Sequence, residues 1–264
     1  MQISISSQLE FDLPTATDVL LQIEAAHLPE QTVLSGNLVL PPCEHFARVP
    51  GQDSIGERIW LRASGRVVID YRAEVMINRV AVPIDELAAL PPRKLPGETV
   101  QYLMDSVYCP AERFRTFVDT EFAGLTGGAR IAAMGDWIAA KLTYAPGSSN
   151  AATTALDSFV ERRGVCRDFA HVLITFARAA AIPARYASVY APNVIPQDFH
   201  AVAEVFLADA DGIGGTWRLV DPTGMAQADE MAKIAIGRDA ADASFLTDYG
   251  ELALINMFIA VTAI

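Results

Sequence analysis

Apolar and polar residues alternate in short runs over the first 80 positions. TDVLLQIEAA, TVLSGNLVL, RIWLRASGRVVIDY and RAEVMI follow the two-residue period of strands with one face in water, and turn-rich pieces such as PGQDSIGE part them. The pattern predicts a half-exposed antiparallel sheet or sandwich. VPIDELAALPPRKLPGE then carries Pro at positions 83, 91, 92 and 96 and reads as a linker. Beyond it the spacing becomes helical over Thr99–Phe122 and Gly128–Leu142, with turn signals in YAPGSSN and a short helix near Ala155–Arg162. A further helix starts after Gly164 and stops before Pro183. Its Phe169, Val172, Leu173, Phe176 and Ala180 fall at i, i+3, i+4, i+7 and i+11, a stripe facing a core. Strands return in ARYASVYAP, HAVAEVFLAD and TWRLVDPT, and the Gly- and Asp-rich ADADGIGG makes the last two a predicted hairpin.

The final apolar run, LALINMFIAVTAI, is too short to span a bilayer, holds Asn256 and is rich in β-branched residues, so it reads as a buried strand. The start, MQISISSQLEFDLP, has neither a basic nor an apolar leader region. The expectation is a cytoplasmic protein with no membrane partner. The order β, α, β predicts an α+β chain: a small β-sandwich domain over residues 1–82, a linker over 83–98, and a larger domain over 99–264 that includes the C-terminal strand. A length of 264 residues allows this division.

Composition adds exclusions. At 52% apolar and 20% charged the chain is globular. Its formal charge of −12 repels phosphate backbones and argues against nucleic acid as a partner. Cys43, Cys109 and Cys166 are far apart, odd in number and form no CxxC pair. That argues against a disulfide framework and a cysteine zinc site, and it suits a reducing compartment. No cofactor and no metal are expected, and no acidic loop pattern suggests calcium.

Cys166 is the residue whose position suggests chemistry. It sits at a helix start, in RRGVCRDFAH, where unpaired N–H groups carry about half a positive charge. That field favours thiolate, Arg162, Arg163 and Arg167 can add to it, and the same N–H groups can receive an oxyanion. Against this stands the ordinary role of free cysteine as a small buried apolar residue. A thiol nucleophile needs a base, and the base needs an orienting acceptor. His27 and His45 lie in the predicted β domain as surface or edge residues. His171 follows Cys166 by five residues, about 500° of helix rotation, and so points elsewhere. His200 opens a strand directly after a long loop, where it can face a cleft. Asp221 ends the strand predicted to pair with the His200 strand, so a hairpin brings the two to one sheet edge. The alternative is that Asp-Pro-Thr merely begins a turn. Asp168 reads as a first-turn residue favoured by the dipole.

With these residues assembled, the chain resembles the transglutaminase-like superfamily, a branch of the papain-like thiol enzymes whose bacterial members are often described as cysteine proteases. GVCRDFAH…IPARY, HAVAEVF and WRLVDPT carry the resemblance, in the family's order of Cys, His, Asp. YLMDSVYCPAERF, the N-terminal strands and IGRDAADASF resemble its flanking regions, so the likeness covers nearly the whole chain. It implies a papain-like core, with a helix-borne Cys packed on an antiparallel sheet, behind the small β domain, and makes 99–264 a catalytic domain. It implies Cys166 as nucleophile, His200 as base and acid, Asp221 as the group orienting His200, and the Cys166 N–H as one oxyanion donor, with Tyr108 as candidate for the second. The chain departs from the family at Val202, where Trp is frequent, at Ala180-Ala181 and at Val189-Tyr190; Val202 is expected to leave a less aromatic cleft wall. The implied activity is cleavage of an amide or peptide bond in a peptide or protein through an acyl-thioester. Transfer of the acyl group to an amine, as in a transglutaminase, and a non-enzymatic binding scaffold are the alternatives.

Overall fold

Alternation of side-chain size builds the longest strands. The computed structural model describes residues 1–209, 212 and 214–264. β1 (Gln2–Leu21) turns Ile3, Ile5, Leu9, Phe11 and Leu13 inward, and β4 (Glu57–Ile77) does the same with Ile59, Leu61, Val67, Ile69, Tyr71 and Val75. The two pair antiparallel, with a register shift between Leu13 and Thr17. β2 (Gln31–Val39) and β3 (His45–Pro50) lie along the far side of β4. β11 (Leu246–Asp248) and β12 (Ala253–Ala263) lie along the far side of β1. The β unit expected before the core is thus a six-stranded sheet that draws on both ends of the chain. This corrects the expected membership of the C-terminal strand, which pairs with β1 and not with the 99–264 unit. QISISSQLEF, not predicted as a strand, is the first half of β1, because its small serines hide the alternation from a hydrophobicity reading.

The second sheet has the antiparallel order β10-β7-β8-β9, formed by β7 (Ala184–Tyr190), β8 (His200–Ala208), β9 (Gly215–Val220) and β10 (Ala232–Gly237). The β8–β9 hairpin is present; its tip at positions 210, 211 and 213, within the predicted Gly- and Asp-rich turn, lies outside the described residues. β10 was not predicted.

The described residues form four α-helices, α1 (Arg115–Glu121), α2 (Gly127–Lys141), α3 (Ala155–Glu161) and α4 (Cys166–Ala179); α4 packs on β7 and β8, and the other three pack on α4. The helix predicted over Thr99–Phe122 is broken. Gly97–Leu103 is a 3-10 segment, and α1 begins only after Pro110, whose ring cannot sit inside a helix. The linker stretch is docked, with Leu87 buried and the backbone of Gly128 against Ile84: a Cβ there would lie 1.5 Å from the Ile84 carbonyl oxygen. α4 was expected to bury one stripe, yet every residue from Asp168 to Arg178 is buried. β8 covers one side, and Phe114, Phe117, Phe122, Trp137 and Phe159 surround Phe176 on the other. Of its buried polar members, Arg178 donates to the carbonyls of Ala184 (2.9 Å) and Met104 (3.0 Å), whereas Thr175 Oγ1 and His171 Nδ1 have no hydrogen-bond partner. Among the described residues, no helix is long and apolar enough to cross a membrane.

Candidate active site

The start of α4 is set by the residues before it. β5 (Thr143–Tyr144) pairs in parallel with β6 (Arg163–Gly164), which leaves Val165 extended and Cys166 as the first helical residue. Asp168 turns back and its Oδ2 accepts from the Val165 N–H at 2.8 Å. Gly164 makes room for this, since a Cβ there would lie 2.6 Å from that of Asp168. Asp168 also pairs with Arg167 at 3.0 Å. Cys166 is partly buried, and at the first turn its own N–H is among those without an intrahelical acceptor. The other arginines are engaged elsewhere: Arg162 lies over the rings of Phe159 (4.2 Å) and Trp137 (4.7 Å), and Arg163 pairs with Glu161.

His200 opens β8, and its Nε2 lies 2.9 Å from Asp221 Oδ2, with both side chains withdrawn from water. Asp221, just past β9, is held by four more donors: Thr223 N–H (2.9 Å) and Oγ (2.7 Å) on Oδ1, and the N–H groups of Met225 (3.1 Å) and Ala226 (3.0 Å) on Oδ2. Asp-Pro-Thr therefore both begins a turn and supplies an acceptor. Burial pulls the Asp221 pKa up, but the His200 hydrogen bond and charge and the Thr223 donors outweigh it and hold the carboxyl below its usual range. Burial pulls the His200 pKa down, but Asp221 and Cys166 outweigh it, and the net shift is up from 6.5 to about 9. His200 Nδ1 is buried without a hydrogen-bond partner, so Cys166 acts on the ring by proximity and no formed bond joins them. Such contacts are often loose before substrate arrives.

Cys166 and His200 line one cleft of about 540 Å³, together with Tyr108, Tyr186, Asp198 and the segment from Ala240 to Asp248. His171 points away from the thiol, as expected. It is fully buried, its Nε2 accepts from the Ala240 N–H at 3.2 Å, and its ring stacks on Tyr108. Burial, with the charge of Arg167, pushes its pKa down to about 3, so it stays neutral and anchors the 238–242 loop.

Of the two expected cleft residues, Tyr108 is in the cleft without a free donor for an oxyanion, and Val202 is not in it. Tyr108 lines the cleft, but both its donors are committed: its N–H to Asp239 Oδ2 at 2.9 Å and its hydroxyl to the Ala151 carbonyl at 2.8 Å. Val202 is no cleft wall. It faces the side of the sheet away from α4 and is fully buried in a cluster with Tyr102, Val189 and Leu219. The two-residue period of β8 explains this, since Ala201, Ala203 and Val205 are the residues turned to α4.

Sequence reasoning missed Tyr144, Tyr186, Asp198 and the 240–248 wall. Burial and then the charge of Cys166 push the Tyr144 hydroxyl up to about 12, which marks it as a neighbour of the thiol. Tyr186 belongs to β7, every residue of which is buried, so the period-two alternation that would have placed it on a cleft face is absent. Asp198, whose carboxyl burial shifts upward, and the C-terminal wall lie outside any periodic segment that would have placed them.

Residues 119–222 match the family profile described as the Transglutaminase-like superfamily. A solved structure described as "a Putative Cysteine Protease from Cytophaga hutchinsonii" is 30% identical, with a TM-score of 0.90, covering 99% of this chain and 90% of that one. An uncharacterized protein of Mycobacterium leprae is 31% identical over 121 residues, which are 42% of this chain and 41% of that protein. The chain therefore spans about two fifths of the length of that curated relative. The periplasmic domain of TgpA from Pseudomonas aeruginosa is 17% identical, with a TM-score of 0.40, covering 82% of this chain and 69% of that one.

Proposed function

This chain belongs to the transglutaminase-like superfamily, of the thiol-dependent acyltransferase or protease kind, and we propose that it hydrolyses an amide or peptide bond of a peptide or protein with Cys166, His200 and Asp221 as its reacting triad. One observation carries this reading: His200 gives Nε2 to a five-donor carboxylate and keeps Nδ1 unpaired in the cleft that Cys166 lines.

His200 Nδ1, whose imidazolium Asp221 favours, takes the thiol proton before the attack, and the Cys166 sulfur then attacks the carbonyl carbon. The carbonyl electrons move to oxygen, which the Cys166 N–H receives next to the Tyr144 side chain. As the C–N bond breaks, His200 returns its proton to the departing amine, leaving a thioester on Cys166. Water then attacks the thioester carbon and gives a proton to His200. The S–C bond breaks, the sulfur recovers that proton, and a carboxylic acid leaves. Asp221 keeps Nε2–H in place and favours the imidazolium through both transfers.

Thiol reactivity tests this. At neutral pH, iodoacetamide should label Cys166 well ahead of Cys43 and Cys109, the last being fully buried with its thiol pushed up to about 12. Cys166→Ala should abolish both the fast label and the release of fragments from an unfolded protein. Equal labelling of Cys43 and Cys166 would overturn the reading. Incorporation of a fluorescent amine into a glutamine donor, with one ammonia released per amine incorporated and no peptide fragments, would assign the acyl group's fate to amine transfer.

A further inference from the structure

One wall of the cleft is an edge of the six-stranded sheet. β11 pairs with Leu21, Leu20 and Val19 of β1 and, among the described residues, with no other strand. The pairing fixes which way its backbone points. Gln22 N–H donates to the Phe245 carbonyl and Tyr249 N–H to the Asp18 carbonyl, so Thr247 opposite Leu20 is the hydrogen-bonded residue between them. Leu246 and Asp248 must then turn their N–H and C=O groups away from β1. Ser244 Oγ donates to the Leu246 carbonyl at 2.8 Å, which leaves the N–H of Leu246 and both groups of Asp248 outward.

This edge borders the thiol. Leu246, Thr247 and Asp248 line the same cleft as Cys166 and His200. Phe245 stacks on Phe199, the residue before His200, with ring centroids 4.7 Å apart, which ties the edge to the catalytic strand. Buried Gln22 holds the preceding turn through the carbonyls of Asp242 and Ser244. Ala240, Ala241, Ala243 and Ser244, all with short side chains, line the same cleft. Neither Pro nor Lys, the residues that commonly blunt an open edge, occurs in 246–248.

The geometry points to β11 as a docking strand: the substrate is an extended, unpaired peptide segment that adds to the Leu246–Asp248 edge by main-chain hydrogen bonds and so carries its carbonyl to Cys166. This rests on the proposed thiol chemistry and extends it to the substrate's conformation. The strand comes from outside residues 119–222, so the sheet shared by both chain ends would choose substrates by main chain, with alternate side chains adding selectivity.

The test uses the intact protein and two probes, acetyl-alanine aldehyde and acetyl-tetraalanine aldehyde. Each aldehyde carbon can take the Cys166 sulfur, with the thiol proton ending on oxygen, and so protect it from iodoacetamide. The tetrapeptide should protect at a concentration about tenfold lower or better, and N-methylation should remove that gain at alternating positions and spare those between. In Asp248→Pro, which lacks the outward N–H while the inward ladder at Thr247 remains, the length advantage should shrink; in Asp248→Ala it should persist. Equal protection by the two aldehydes, or indifference to N-methylation at every position, would overturn the docking strand while fast labelling of Cys166 left the thiol reading standing. Slow labelling of Cys166 would remove both.

Discussion

Asp221 controls the charge of His200, and a pH profile reads that control directly. A raised His200 pKa means the imidazolium is stabilised in the fold. Its contribution to stability is complete below the usual value of 6.5 and is lost as pH rises through about 9. In the proposed reaction the same proton serves the leaving amine, so kcat/KM should fall on the alkaline side near pH 9. In Asp221→Asn that limb should move to lower pH, and turnover should drop on the order of 10²-fold or more. A limb left in place would detach Asp221 from His200. Val202 makes the opposite kind of prediction. Val202→Trp, which restores the family's frequent residue, should cost about 1–3 kcal/mol by overpacking the Tyr102–Leu219 cluster, read by urea unfolding, and should leave cleft chemistry alone. At this scale the sequence was informative where a residue's role follows from its neighbours along the chain. Cys166 at a helix start and Asp221 at a hairpin end were legible; Val202 was misplaced because its face depends on which side of β8 meets α4. Tyr108 was misjudged because Asp239, 131 positions away, takes its N–H.

The position of the Cys166 thiol is a property of the β6–α4 junction. Gly164 lies against the Asp168 side chain, and Asp168 holds the Val165 N–H, so the turn that aims Cys166 is closed by one glycine and one carboxylate. Gly164→Ala should push Asp168 off its acceptor position and leave a buried carboxylate poorly satisfied. The expected loss is about 1–3 kcal/mol, with slower iodoacetamide labelling of Cys166. Gly97→Ala, where nothing lies within 4 Å of the added carbon, is the matched control and should change neither reading. Element by element, periodic segments were legible and composite ones were not. α2, α3, α4 and β7 to β9 lie close to where hydrophobic spacing puts them. The Thr99–Phe122 segment failed because apolar spacing does not distinguish a 3-10 turn and an extended stretch from a continuous helix. α4 was under-read: its buried polar residues look like a solvent face until their partners from other elements are known.

The two sheets are tied to each other through charges that no periodicity announces. Glu204 on β8 is fully buried between Arg185 (2.7 Å) and Lys233 (2.6 Å), and Lys233 on β10 also reaches Glu30, at the entry to β2. The backbone of Lys233 completes the tie: its carbonyl accepts from Ala26 N–H and Gln31 Nε2, and its N–H donates to Gln31 Oε1. The N-terminal sheet is thus fastened to the back of the sheet that holds His200. HAVAEVFLAD, read alone, offers Glu204 as an outward polar position of a half-exposed strand; its cation partners on strands β7 and β10 of the same sheet make it a buried ion pair. Burial pulls the Glu204 pKa up, but the two cations outweigh it and bring it down to about 2. Its stabilisation is therefore present above the usual carboxylate value of 4.5 and is lost as pH falls toward 2. Glu204→Gln leaves Lys233 and Arg185 without their shared counter-charge and should cost about 3–5 kcal/mol. If the sheets form one cooperative unit, urea unfolding followed by Trp217 fluorescence on β9 and Trp60 fluorescence on β4, each in a variant lacking the other tryptophans, should shift together in Glu204→Gln. Two separated transitions, with only one moved, would show that the sheets unfold independently and that the charge cluster is local to the His200 sheet.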